Sequence, residues 1–384
     1  MDNLFFTDEH IMIRDMVREF ADTEITPVAR DLDEQGEFPT ALVNKMGELG
    51  LMGILIPEEY GGSGLDMVAF ATAIIELARA DASVAITMAA HTSLGSLPIL
   101  MFGSEEQKNT YLPKLATGEM LGAFGLTEPD AGSDAGATKT KAVRDGDEYV
   151  VNGGKIFITN AGKAGVLSFT SQVIENGKNL GIAAFSISTN TPGLEIGPKE
   201  KKMGWHASDT RQLFFKDMRI KTSSMLGTPT NGFKTFLKTL TSGRVSIGAL
   251  SIGTALGAYE RALVYSTERI AFGKPINNFQ SVGFKLADMA TKIEASKLLV
   301  FHAAWMKDQG LDITKEAAMA KLFASETAME VTTEAIQIHG GYGYVKEYDV
   351  ERFFRDAKIL EIGEGTSEIQ RLIISREILK EIQI

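Results

Sequence analysis

The chain has 384 residues, 44% of them hydrophobic and 23% charged, with 39 Lys and Arg against 50 Asp and Glu for a formal charge of −11. This is the composition of a globular protein of about two or three domains, and its acidity argues against nucleic acid and against a polybasic membrane surface, because phosphate neutralisation needs a cationic face. Cysteine is absent, which excludes disulfides, thiolate zinc sites, Cys-ligated iron–sulfur clusters and a Cys nucleophile.

Met1 to His10 carries acidic residues and no basic region ahead of an apolar stretch, so no signal peptide is expected. No apolar run approaches the ~20 residues of a membrane span, and the expected location is cytoplasmic. From Leu4 to about Leu121 the pattern is helical. Thr7 followed by His10 is half a capping box, and Asp8 and Glu9 suit the positive end of a helix. Ile13, Met16, Val17 and Phe20 then form one apolar stripe at helical spacing. Pro27, Gly36, Pro39, Pro57, Gly61 and Gly62 divide the block into several helices. Asp66 to Arg79, rich in Ala, Ile and Leu, predicts a helix buried on more than one side.

Between about Gly122 and Ile220 short β-branched and aromatic runs replace the helical pattern: Glu148–Val151, Ile156–Thr159, Val166–Thr170, Ala183–Ile187 and Leu213–Phe215. Turn signals at Asp145–Gly146, Asn152–Gly153 and Asn176–Gly177 separate them. With no helix-length segment between the strands, an antiparallel sheet or small barrel is expected rather than a doubly wound sheet. After Asn231–Gly232 long helices return, with Val282, Leu286, Met289 and Ile293 on one stripe, consistent with a bundle. The expected fold class is α+β, mainly α: an N-terminal helical domain (1–121), a middle β domain (122–231) and a C-terminal four-helix bundle (232–384).

Several chemistries leave no motif. There is no G-x-G-x-x-G opening a strand–helix unit, no phosphate-binding G-x-x-x-x-G-K-[ST] and no G-x-S-x-G. The five His residues are scattered, without H-E-x-x-H, and no metal is expected.

Three segments carry a positive signal. Gly122 to Asp134 ends in small residues whose N–H groups, with Thr127 and Ser133, can donate to an anionic or carbonyl-rich ligand; taken alone, the segment reads first as a plain strand-end turn. Gln337 to Gly343 reads either as a glycine C-cap or as a backbone that a polyphosphate can approach closely. In Glu361 to Arg371, Glu364 lies between two glycines just before a helix start at Thr366 or Ser367. Desolvated, it is suited to act as a base; exposed, it is an ordinary loop carboxylate.

In this order the three segments resemble the acyl-CoA dehydrogenase flavoprotein family. Val150 to Asn160, Arg269 to Pro275 and both chain ends extend the resemblance over essentially the whole sequence. It implies the same three-domain fold and the cofactor FAD. It further implies that Glu364 removes the α-proton of an acyl-CoA thioester while the β-hydrogen leaves as hydride, giving a trans-2-enoyl-CoA. The flavin contacts it implies are Phe124, Leu126, Thr127, Phe157, Ile158 and Thr159, with Phe157 where many relatives have Trp. Ser133 matches a residue near the FAD phosphates and the pantetheine arm. Arg269, Phe272, Gln280, Gln337, Gly340 and Gly341 match pyrophosphate and adenine contacts, several supplied by a neighbouring subunit, and Thr366 and Glu368 complete the shell. Thr241, Arg244 and Gly365 match substrate contacts.

Implied partners are acyl-CoA, electron-transfer flavoprotein and further copies in a homotetramer. Gly243 precedes Arg244 where branched-chain and very-long-chain relatives can place their base, which sides with straight short or medium chains. Gly363, where Tyr is frequent, implies a wider acyl cavity. His91, Thr92 and Ser93 match a stretch lining the acyl tail, although a capped surface helix end is the reading the residues themselves favour. Two alternatives stay open: an enoyl-CoA reductase of the same fold with a bifurcating partner, and a non-catalytic FAD- or CoA-binding scaffold.

Overall fold

The computed structural model describes residues 4–228 and 232–382, and of residues 233–235 the backbone alone; the boundary expected after Asn231 lies outside the described residues. Among the described residues seven α-helices open the chain: α1 (Asp8–Phe20), α2 (Ala29–Gln35), α3 (Thr40–Glu48), α4 (Met67–Ala80), α5 (Ala82–Ala90), α6 (Leu97–Phe102) and α7 (Glu105–Ala116). The capping box of α1 is complete, with an imidazole in the usual carboxylate role. The Thr7 N–H donates to His10 Nδ1 at 3.0 Å, while His10 Nε2 donates to Asp66, the N-cap of α4, at 2.9 Å. Every residue of α4 is buried, as its even apolar texture predicts.

Two expectations are corrected between α5 and α6. His91, Thr92 and Ser93 are not a surface helix end; all three are buried, at the start of the π-helical turn His91–Ser96. His91 Nδ1 accepts the Gly122 N–H at 3.1 Å, and Nε2 faces Met52 O and Leu115 O at 3.1 Å each. Burial depresses its pKa to about 4, so the ring is neutral and serves as a cross-brace. Nor is the chain without a long apolar segment. Ala82–Phe102 runs as 21 residues apolar enough to cross a bilayer by length and composition, but 89% of that window is buried inside the protein. Three of its hydroxyls are absorbed by bonding back to the helix: Thr87 to Ser83 O, Ser93 to Ala89 O and Ser96 to His91 O.

The middle block is an eight-stranded sheet of β1 (Leu121–Gly125), β2 (Lys141–Asp145), β3 (Glu148–Thr159), β4 (Ala164–Glu175), β5 (Lys178–Ser188), β6 (Leu194–Lys199), β7 (Thr210–Lys221) and β8 (Met225–Leu226). The order is β6-β7-β3-β2-β4-β5-β8, with β1 against β4. The sheet is mixed rather than antiparallel, because β1 and β2 both run parallel to β4; hydrophobic alternation reports which face a residue takes and nothing of strand direction. Asn176 and Gly177, both at positive φ, make the predicted hairpin turn. Asn152–Gly153 does not. It is a bulge inside β3, where the register shifts opposite β7 and the Asn152 amide exchanges hydrogen bonds with Asp217 at 2.9 and 3.0 Å.

The chain then enters α8 (Gly232–Glu268), a small hairpin of β9 (Ile270–Ala271) and β10 (Lys274–Pro275), α9 (Gln280–Asp308), α10 (Thr314–His339), α11 (Val350–Ala357) and α12 (Ser367–Ile382). The long helices α8, α9, α10 and α12 form the bundle, and one apolar core joins α8 and α9 to α4.

The three blocks meet at α11. Buried Arg352 donates to buried Asp81 at 2.8 Å and to Ala80 O, Asp356 accepts the Trp205 N–H at 2.6 Å, and Arg355 pairs with Asp33 at 2.7 Å. Removing one member of such a pair leaves an uncompensated buried charge, so Arg352→Met should lower stability by about 3–5 kcal/mol, read as an earlier urea midpoint. An unchanged midpoint would show that the junction stands without this pair.

Candidate active site

Glu364 lies on the turn between the 3₁₀ segment Lys358–Glu361 and α12. Its φ is 52° and that of Gly365 is 97°, two successive left-handed residues. For a non-glycine residue this conformation stores strain of about 1–3 kcal/mol, which the surroundings must hold in place. Its effect is to aim the carboxylate at α8, at a point where that helix has no side chain. A Cβ built on Gly243 would overlap Glu364 Oε2 and lie 3.1 Å from Cδ and 3.4 Å from Leu94 Cδ2. Oε2 is shielded from solvent and has no hydrogen-bond partner among the described residues. Burial pushes the carboxyl up to about 7, opposed by Lys321 on α10 and Arg244 on α8.

Around it the walls are polar. Arg244 is buried, with Nη1 3.4 Å from Thr241 Oγ1 and Nε unpartnered. Ser246 donates to Gly243 O at 2.8 Å and reaches Ser93 Oγ at 3.4 Å. On the adjoining segments the buried hydroxyls of Thr92 and Ser242 have no partner among the described residues. A carboxylate with one shielded, unpartnered oxygen and a proton affinity near neutrality can take a proton from a carbon acid.

A second constellation is built by the segment after β1 and the C-terminal part of β3. The Ile156 N–H donates to Thr127 O at 2.9 Å, which sets Thr127 beside Phe157–Thr159. Beneath them Lys155, fully buried, pairs with Glu128 at 2.7 Å and donates to Leu126 O at 3.1 Å. Glu128 also accepts from the Thr138 hydroxyl and from the N–H groups of Lys139 and Thr140. This buried pair pins both segments. Phe157, at φ 62°, is 63% exposed and has no ring partner among the described residues.

The other expected residues divide. Thr366 caps α12, accepting the Ile369 N–H at 3.3 Å, beside Gly365, and Glu368 is exposed in the first turn. Phe124 is buried and stacks on Phe236, ring centroids 4.2 Å apart. The Ile158 side chain belongs to the sheet core, so it presents only backbone to a ligand; strand alternation turns it inward next to outward Phe157. Ser133, Gln280 and Gln337 are exposed. Arg269, Gly340 and Gly341 line a cavity of about 490 Å³ with Tyr265, His339 and Tyr342, sharing no residue with the surround of Glu364. Phe272, on the β9–β10 hairpin, is 96% exposed.

Sequence reasoning missed Glu128 with Lys155, and Lys321 with Gln370, which grip the Glu364 turn. One signal was available: Lys321 interrupts the small-residue stripe Ala317, Ala324, Ala328 at helical spacing, a charge where the pattern calls for core.

Comparison with known proteins matches three family models in chain order: the acyl-CoA dehydrogenase N-terminal domain (residues 7–119), middle domain (123–218) and C-terminal domain (230–379). A "Probable acyl-CoA dehydrogenase YngJ" of Bacillus subtilis is 53% identical across 98% of this chain and 100% of its own. An acryloyl-CoA reductase (NADH) of Anaerotignum propionicum is 46% identical across 97% and 95%. Among solved structures, butyryl-CoA dehydrogenase from Megasphaera elsdenii superposes with a TM-score of 0.95 at 43% identity, over 97% of this chain and 99% of that one. A chain in "Electron transferring flavoprotein of Acidaminococcus fermentans: Towards a mechanism of flavin-based electron bifurcation" gives 0.95 at 46%, over 98% and 99%. An acyl-CoA dehydrogenase complexed with FAD from Bacillus anthracis gives 0.93 at 38%, over 98% and 68%. With helices, mixed sheet and bundle in that order and matches along its whole length, the chain belongs to the acyl-CoA dehydrogenase family of oxidoreductases.

Proposed function

We propose that this enzyme is an FAD-dependent dehydrogenase of straight short- or medium-chain acyl-CoA, forming trans-2-enoyl-CoA and passing electrons to an electron-transfer flavoprotein. Glu364 carries this reading: its Oε2 is dry, unpartnered and held near neutral proton affinity. An α-C–H is a very weak acid, so the negative charge that develops on the thioester oxygen needs a donor aimed at it. The Glu364 N–H takes no acceptor among the described residues and is available for that oxygen. Arg244, Thr241 and Gly365 would hold the substrate, and Gly243 leaves Glu364 as the base, which supports a straight acyl chain.

The cofactor is FAD, as in the solved relative that carries it. This chain's residues fit it: the bare ring of Phe157 and the adjacent Thr127 and Thr159 would hold the flavin, with Phe124, Leu126, Ser133, Thr366 and Glu368 around it. When bound, FAD supplies a hydride acceptor for the β-hydrogen. Protein groups do the rest by orienting the thioester, excluding water and removing the proton. Arg269, Phe272, Gln280, Gln337, Gly340 and Gly341 would serve the dinucleotide end. The exposed ring of Phe272 and the separate Arg269 cavity support a site completed by a second subunit, and we take the assembly to be a homotetramer. We place the enzyme in the cytoplasm, and take 1–121, 122–231 and 232–384 as its domains.

Purified protein should be yellow and should bleach anaerobically with butyryl- or hexanoyl-CoA. The second reading, an enoyl-CoA reductase, draws on the acryloyl-CoA reductase and on the bifurcation structure among the relatives. Flavin that no saturated acyl-CoA bleaches, but that reoxidises with an enoyl-CoA after chemical reduction, would decide for it.

A further inference from the structure

Lys321 is a buried cation to which the proposed reaction assigns no role. It lies on α10 with its side chain fully out of solvent, and no carboxylate within ion-pair distance is found among the described residues. Its Nζ makes one hydrogen bond, to Gly365 O at 2.8 Å. The same oxygen accepts from Gln370 Nε2 at 2.9 Å, and that amide also reaches Glu364 O at 3.3 Å. Two buried donors therefore grip the carbonyls of the left-handed pair that carries the carboxylate.

Gripping a carbonyl does not require a charge. Burying an ammonium without a contacting anion is costly, and a neutral amide such as that of Gln370 makes the same bond without that cost. The charge is explained by what surrounds it. Burial pulls the Lys321 pKa down to about 8, while the fields of Glu364 and Glu361, and more weakly Glu326, favour the ammonium, and Arg244 on α8 opposes it. On Glu364 itself, the charged groups that act are Lys321 from α10 and Arg244 from α8. Lys321 thus stands behind the base both as a tether of its backbone and as a balance of its charge.

We propose that Lys321 is a positioning residue for Glu364, fixing the turn through Gly365 O and supplying the positive charge against which the base ionises. The proposal rests on Glu364 being the base. It makes two separable statements: the hydrogen bond sets orientation, and the charge sets the pH at which Glu364 works.

Three variants separate them. Lys321→Gln keeps a donor and removes the charge, Lys321→Met removes both, and Lys321→Arg keeps both. For each, the rate of anaerobic flavin bleaching by butyryl-CoA is followed from pH 5.5 to 9, and the carboxyl of Glu364 is titrated without substrate through the infrared carbonyl band that Glu364→Gln abolishes. Losing a nearby cation raises a carboxyl pKa, so in Lys321→Gln both profiles should move up by about one pH unit, which makes bleaching at pH 7 several-fold slower and restores it at pH 9. Lys321→Met should show the same shift and stay at least ~10-fold slow at pH 9, its turn being loose. Lys321→Arg should keep the wild-type pH midpoint.

Folded, flavin-loaded Lys321→Gln with both midpoints unchanged overturns the role of the charge. Lys321→Met at wild-type rate on its high-pH plateau overturns the tether. If Lys321→Met does not fold, Lys321→Gln against Lys321→Arg still decides the charge. If Glu364 proves not to be the base, the bleaching profiles lose their meaning but the infrared midpoints still report whether Lys321 controls that carboxyl.

Discussion

Glu364→Gln should leave FAD and acyl-CoA binding intact and slow anaerobic bleaching by butyryl-CoA by at least ~10³-fold, at the upper part of what a positioned base contributes. The amide keeps the shape of the side chain in its niche against Gly243 but accepts no proton. In the wild type the bleaching rate should rise with pH and level off above about 7, because burial raises the Glu364 carboxyl to about that value and only the ionised form is a base. The stability linkage has the opposite slope. A carboxyl whose folded pKa exceeds its unfolded value contributes stability that is complete below the ordinary range and lost as pH rises through about 7. Wild type should therefore lose stability relative to Glu364→Gln between about pH 4.5 and 7, a comparison that thermal melts can make without any substrate. A Gln variant bleaching at near-normal rate would remove Glu364 from the chemistry and with it the proposed reaction.

The large features were legible because they rest on periodicity. Ile13, Val17 and Phe20 are buried on α1, and Leu286, Met289 and Ile293 on α9, as their spacing predicts. What the sequence did not carry was pairing direction and long-range partnership. The alternation in β2 and β4 is the same whether they run parallel or antiparallel, so the mixed sheet was read as antiparallel. His91 looked like a helix cap because its acceptors and donor, at Met52, Leu115 and Gly122, come from other segments. The glutamate itself was singled out through its glycine neighbours and the family resemblance. Its supports, Lys321 and Gln370, were not: a buried lysine on an alanine-rich stripe becomes meaningful only once Gly365 O is seen at its tip.

Gly243→Ala should cost activity while costing no stability, which separates the position of the base from its presence. Glycine inside α8 is unfavourable by about 1 kcal/mol relative to alanine, so on helix propensity alone the variant should melt at the same temperature or slightly higher. The new methyl, however, would occupy the place of Glu364 Oε2, with Cδ only 3.1 Å away. Real Cβ contacts do not come that close to an oxygen, and the end of a glutamate side chain yields more readily than two packed helices. The carboxylate must therefore retreat by about 1 Å, a misplacement that can lower a rate on the order of 10²-fold when proton transfer depends on alignment. Flavin content should not change, since Gly243 abuts the carboxylate and Leu94 and not the Phe157 segment. In the Glu364→Gln background the same substitution should add little further loss, because the group it displaces no longer takes the proton; such non-additivity is the signature of two residues acting through one interaction. Additive losses, or wild-type bleaching by Gly243→Ala alone, would mean that the carboxylate works from somewhere other than the gap that this glycine leaves in α8.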